Sequence, residues 1–250
     1  MLEHAYGYDD VAIVPGEFTI NPELAETKFK IQELEFDLPV LASAMDAVVS
    51  PSFAVQFNKK GGLGVLNLEG IYTKYSDYED VLQSIISSEP EKATSIMQDV
   101  YNKEISEELV AERVQEIKSN NVICAVSVTP QNTKRLSPIA IDAGADIIVV
   151  QSTVTTPRHF SRSITGLNMS ELKKQIKVPL IVGNCVSYNV ALEFMNTGVD
   201  GILVGVGPGA ACTTREVTGL GVPQVTATLN CSKARDDYFE ETAVSYTHLT

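Results

Sequence analysis

Six short apolar runs recur along the chain, at residues 38–45, 62–68, 122–129, 145–151, 178–184 and 201–207, and each closes in a polar or glycine-rich turn. The runs are nearly continuous rather than alternating. Strands buried on both faces of a parallel sheet read this way. Helical segments lie between them. Residues 106–119 open with an N-cap candidate, Ser106, carry Glu107 and Glu108 in the first turn, and place Lys118 in the last. Both ends then suit the helix dipole. Residues 187–196 end before Gly198, a good helix terminator, and residues 223–241 form a third helical candidate. The phrases Ala-Gly-Ala-Asp (143–146) and Thr-Gly-Val-Asp (197–200) each end a helix and launch the next strand. Alternation of this kind predicts βαβ units with right-handed crossovers.

The predicted fold is therefore α/β, with about six of the eight strand–helix units of a (β/α)8 TIM barrel. Residues 69–106 fit the rhythm poorly and read as one helix plus an irregular, acidic excursion. We take it as a connection within one catalytic domain spanning 1–242. Residues 244–249 resemble the translation of one frame of a transposon adapter (GTC TCT TAT ACA CAT CT), so 243–250 is expected to be a non-native tail. The chain then reads as a C-terminally truncated barrel, inactive and poorly soluble on its own, because an open six-strand sheet exposes two edges.

Composition narrows the class. There are 19 Lys and Arg against 32 Asp and Glu, a formal net charge of −13. That argues against a general binder of nucleic acid or anionic membrane, both of which need basic surface. A local anion site built from backbone N–H groups remains compatible with it. No run approaches the ~18 apolar residues of a membrane span. The N-terminus shows no secretory pattern. Cys124, Cys185, Cys212 and Cys231 form no C-x-x-C pair, which fits reduced thiols in a cytoplasmic protein. His4, His159 and His248 are far apart, which argues against a zinc or iron site.

The segment with most chemistry is residues 205–215, GVGPGAACTTR, which leaves the sixth strand at its C-terminal end. Barrel enzymes keep their active sites there. Its glycines let the backbone approach a ligand closely. Its N–H groups can cradle an anion, and its carbonyls can coordinate a hard cation. Cys212 sits on this loop, where N–H groups favour the thiolate that a nucleophile requires. The plainer reading of any cysteine is a small buried hydrophobe. Cys124, Cys185 and Cys231 are assigned to that class.

The loop resembles the active-site cysteine loop of the IMP dehydrogenase/GMP reductase family. So do residues 218–227 (TGLGVPQVTA), 42–46 (ASAMD), Gly183-Asn184 and the opening 8–16 (YDDVAIVPG). Residues 65–70 and 207–214 look most like the compact branch that lacks the tandem regulatory module, which larger members insert near 69–106. The resemblance implies that Cys212 attacks C2 of the purine of IMP, that hydride leaves to NAD, and that the thioimidate is hydrolysed to XMP with Thr214 assisting proton transfer. It implies substrate contacts at Ser43, Met45, Gly209 and Ala210, and cofactor contacts at Gln151, Ser152, Asn184, Gly205 and Gly207. It further implies a potassium ion on the backbone carbonyls of Gly207, Gly209 and Cys212, and a homotetramer.

Three positions depart from the resembled dehydrogenases. Ala210 replaces a usual Ser, Gln151 a usual Asp and Leu203 a usual Arg. GMP reductase, which shares the cysteine but runs a deaminating reduction with NADPH, is therefore the alternative, beside a non-catalytic fragment. Read without the resemblance, Ser43 and Met45 are strand-end packing, His159 is a solvated loop residue, and Asp236, Asp237, Glu240 and Glu241 form a solvated helix face.

Overall fold

A computed structural model describes residues 4–157, 167–209 and 212–245. The chain forms two compact units: a central one, Phe36–Val150, and a terminal one, Met1–Glu35 with Gln151–Thr250. A two-stranded sheet, β1 (Phe29–Ile31) and β2 (Leu34–Phe36), leads from the terminal segment into the central one.

The central unit runs β3 (Leu41–Ala42), α1 (Pro51–Asn58), β4 (Leu63–Asn67), α2 (Tyr78–Ile86), α3 (Pro90–Asn102), α4 (Glu107–Lys118), β5 (Ala125–Val128), α5 (Thr133–Asp142) and β6 (Ile147–Gln151). Strands β3, β4, β5 and β6 pair in that order and all in parallel. The aliphatic side chains of β4, β5 and β6 are buried on both faces, as the continuous runs predict, while β3 is half-buried. In α4, Ser106 Oγ accepts the Leu109 N–H at 3.3 Å, and Val110, Val114 and Ile117 form the buried stripe.

The terminal unit continues with α6 (Met169–Gln175), β7 (Leu180–Cys185), α7 (Tyr188–Asn196), β8 (Gly201–Val204), α8 (Thr214–Thr218) and α9 (Gln224–Thr242). Strands β7 and β8 are also parallel. Helix α9 buries only small residues, Ala227, Cys231 and Ala234, one turn apart, and packs on α7 along that stripe. The fold class is the α/β one expected: parallel strand–helix units of a TIM barrel, six strands in chain order.

One expectation needs correction. Residues 69–106 are not one helix plus irregular chain but a 3₁₀ turn (Ile71–Thr73) followed by two helices, α2 and α3. Tyr78, Val81, Leu82 and Ile85 of α2 and Ala93, Ile96 and Val100 of α3 form short apolar stripes that are only half-buried. Of the proposed tail, 246–250 lies outside the described residues. Among those described, no helix is long and apolar enough to cross a membrane.

The repeated Gly-x-Asp phrases prove to be more than terminators. Asp146 donates its N–H to the Cys124 carbonyl at 2.8 Å, while its Oδ2 accepts the Cys124 N–H at 2.7 Å. Lys118, from the end of α4, reaches the same carboxylate oxygen at 2.7 Å. Asp200 repeats this. Its N–H donates to the Leu180 carbonyl at 2.8 Å, its Oδ2 accepts the Leu180 N–H at 2.7 Å, and Lys173 of α6 completes the clasp. Each clasp ties a helix end and two neighbouring strands at their N-terminal ends.

Replacing Asp146 with Ala leaves the Cys124 N–H and the Lys118 ammonium without this partner, and should cost about 1–3 kcal/mol. Asp146→Asn, which keeps an acceptor oxygen, should cost less. Urea unfolding midpoints measure both, and an Asp146→Ala variant as stable as the parent would contradict the clasp.

Candidate active site

In the terminal unit the segment that begins at Gln151 lies beside the ends of β7 and β8. Just past β6, the Ser152 N–H donates to the Gly183 carbonyl at 3.0 Å and the Ser152 carbonyl accepts the Asn184 N–H at 3.1 Å. Thr155 N–H then donates to the Asn184 carbonyl at 3.0 Å. Beyond β8, the Gly205 N–H donates to the Cys185 carbonyl at 2.9 Å. Gln151, Ser152, Asn184 and Gly205 thus stand on adjacent C-terminal strand ends, where barrel folds hold their chemistry.

The cysteine loop is closed at its base. Val206 and Val222 form an antiparallel bridge, with the Val222 N–H on the Val206 carbonyl at 3.1 Å. Gly207 (φ 58°) and Gly221 (φ 149°) flank that bridge, and the Arg215 side chain lies across both. A Cβ at either glycine would stand 3.0 or 2.3 Å from Arg215 Cγ, so the loop base needs residues without side chains.

Cys212 is exposed on this loop. Its N–H donates to the Gly209 carbonyl at 3.1 Å, and its Sγ lies 3.2 Å from Thr214 Oγ1. Hydrogen bonds from the Thr214 hydroxyl, and then from its backbone N–H, hold the thiol below its ordinary range. Burial opposes these bonds, and the Arg215 charge adds a lesser downward pull. The other cysteines are buried, as expected of packing residues. Burial, reinforced by the Asp146 charge, pushes Cys124 up to about 12. Cys185 is pushed up too, first by its hydrogen bond with Cys231 and then by burial. Of the four thiols only Cys212 is exposed.

Gln224, the first residue of α9, borders the loop. Its Nε2 donates to the Val204 carbonyl at 3.2 Å and to Thr228 Oγ1 at 3.1 Å. Because Val204 supplies an acceptor, the amide orientation is fixed. Oε1 is left toward Gly205, buried and without a donor among the described residues.

In the central unit, Ser43 and Met45 share the exposed loop between β3 and α1. The Met45 N–H donates to the Ser43 carbonyl at 2.8 Å, and the Val49 N–H to the Met45 carbonyl at 2.9 Å. The adjoining Asp46 collects donors from three directions. So the terminal unit gathers the residues expected at the cofactor and the cysteine, and the central unit holds the two expected at the base and ribose. Ala210 and His159 lie outside the described residues. Sequence reasoning quoted Asp46, Arg215 and Gln224 within motifs but gave them no task. Their roles depend on contacts that no local spacing reveals.

Comparison with known proteins agrees with the geometry. A sequence profile of the IMP dehydrogenase / GMP reductase domain matches residues 5–244. An uncharacterized oxidoreductase of Mycolicibacterium smegmatis is 33% identical, over 98% of this chain and 67% of the relative. Inosine-5′-monophosphate dehydrogenase of Cryptosporidium parvum is 29% identical, over 92% of this chain and 58% of the relative. The crystal structure of an IMP dehydrogenase/GMP reductase-like protein from Corynebacterium glutamicum superposes with a TM-score of 0.91 at 33% identity, covering 98% of this chain and 65% of that one. The chain thus spans roughly three fifths to two thirds of these relatives.

At neutral pH iodoacetamide should label Cys212 ahead of Cys124, Cys185 and Cys231, as peptide mapping would show. Since the Thr214 hydroxyl favours the thiolate, Thr214→Val should move the labelling midpoint to higher pH. An unmoved midpoint, or earlier labelling of a buried cysteine, would contradict the assignment.

Proposed function

The chain belongs to the IMP dehydrogenase/GMP reductase family of oxidoreductases, and on that premise we propose that it serves oxidation of IMP to XMP with NAD. The observation that carries this reading is the exposed Cys212 thiol, with Thr214 Oγ1 at 3.2 Å, on a loop closed at its base. The Cys212 thiolate adds to C2 of the purine, and the hydrogen on C2 departs with its electron pair. The resulting thioimidate on Cys212 is attacked by water at C2, the sulfur leaves, and XMP is released. Thr214 steadies the thiolate and assists proton transfer in the second step. Ser43 and Met45 hold the base and ribose, while Gly209 and Ala210 offer backbone N–H groups to the phosphate.

NAD, when bound, supplies the hydride acceptor. Ser152, Asn184, Gly205 and Gly207 would border its nicotinamide, with Gln151 at the ribose. The acceptor-rich loop also fits a potassium ion on the Gly207, Gly209 and Cys212 carbonyls. Gln224 Oε1, buried beside Gly205 without a donor, adds to that acceptor character. We place 1–242 in one catalytic domain of a cytoplasmic homotetramer.

A second reading is reduction of GMP to IMP with NADPH through the same cysteine. Gln151 and Leu203 favour it, since both depart from the resembled dehydrogenases on the cofactor side.

Full-length protein given IMP and NAD should produce NADH, and Cys212→Ala should lower the rate by roughly 10³-fold or more. NADPH consumption only with GMP would select the second reading. Turnover undiminished in Cys212→Ala would reject both.

A further inference from the structure

Asp46 is the most heavily bonded carboxylate near the Ser43–Met45 loop. Its Oδ1 accepts from Asn67 Nδ2 at 3.1 Å, at the end of β4. Its Oδ2 accepts the Ile71 N–H at 2.7 Å and the Tyr101 hydroxyl at 2.6 Å. Its backbone carbonyl accepts the Tyr72 hydroxyl at 3.1 Å. The carboxylate sits so close to Gly70 that a Cβ there would stand 1.9 Å from Oδ1. The socket is shaped to this side chain.

Tyr101 stands near the C-terminal end of α3, and that end is bolted down independently. The buried Lys74 donates to the Tyr101 carbonyl at 2.8 Å and to the Lys103 carbonyl at 2.7 Å. The Tyr75 hydroxyl donates to the Val100 carbonyl at 3.2 Å, and Lys103 lies 4.0 Å over the Tyr75 ring. From α4, Arg113 Nε donates to the Tyr72 carbonyl at 2.9 Å and fixes the turn that carries Tyr72 and Lys74.

We propose that Asp46 is a positioning residue that sets Met45 and Ser43 for the nucleotide, and that Tyr101 tunes it by holding the carboxylate from α3. The inference rests on reading Ser43 and Met45 as nucleotide contacts. No residue of α3 is fully buried, and it reaches the Asp46 carboxylate through the Tyr101 hydroxyl. Burial and the bond to Asp46 both raise the Tyr101 hydroxyl well above its ordinary value, so it remains a donor across the working pH range.

The test compares full-length parent protein with Tyr101→Phe and Asp46→Asn. Tyr101→Phe removes one hydroxyl from a half-exposed ring and should leave the melting temperature within a few degrees. KM for the nucleotide should rise about tenfold while kcat stays within about twofold, since a hydrogen bond to a charged acceptor is lost away from the reacting atoms. Asp46→Asn, which removes the charge and sets an NH2 where Oδ2 accepts from Ile71 and Tyr101, should raise KM further. Unchanged KM in Tyr101→Phe beside an active parent would overturn the inference and leave the proposed function standing. If the parent turns over neither IMP nor GMP, the proposed reactions fail, and titration calorimetry with both nucleotides decides: weaker binding by Tyr101→Phe supports the inference, and equal binding overturns it. A parent that binds neither nucleotide overturns both.

Discussion

Two aspartates hold the strand–helix units in register. In each clasp an Asp N–H and its carboxylate close a ring on the backbone at the start of the preceding strand, and a lysine from the helix before that strand joins the same oxygen. The geometry follows from βαβ topology. A helix that returns the chain to the starting end of a parallel sheet leaves a backbone N–H there with no strand neighbour. A short Gly-x-Asp turn supplies the acceptor. Because this bonding gathers at the N-terminal strand ends, the C-terminal ends are free to carry loops, and the candidate site residues stand there in both units.

The four cysteines show how placement decides reactivity. Cys185 in β7, Cys231 in α9 and Cys124 just before β5 are withdrawn from water by packing. Cys212 lies on a loop whose shape is fixed elsewhere, by the Val206–Val222 bridge and by glycines that admit the Arg215 stem. The fold can hold the loop firmly while leaving its thiol exposed and next to a hydroxyl donor. A cysteine with the same neighbours in sequence but without that closed base would have no fixed relation to Thr214.

Much of this was legible in the chain. The six strands were, because continuous aliphatic runs have few other folded uses. The placement of Cys212 on a loop beside Thr214 was, because both lie in one short glycine-rich segment. Helices α2 and α3 were only half legible. Their apolar stripes are short and only half-buried, and Lys74, Arg113 and Asp46 anchor them from remote positions. Gln224 and Asp46 were visible as letters in motifs, but their tasks lie in contacts with Val204 and with Asn67, Ile71 and Tyr101. The phrase ending in Asp146 and Asp200 was recognised as a terminator, while its carboxylate clasp needed the strand register to be seen.

The central claim is that Cys212 forms a covalent bond to the purine during turnover. Full-length protein mixed with C8-labelled IMP and NAD, then quenched in acid within the first turnovers, measures this directly by peptide mapping. The account predicts label on the peptide containing Cys212, at an amount that falls as substrate is exhausted and is absent in Cys212→Ala. Turnover with no label on Cys212, or label on another cysteine, would contradict it.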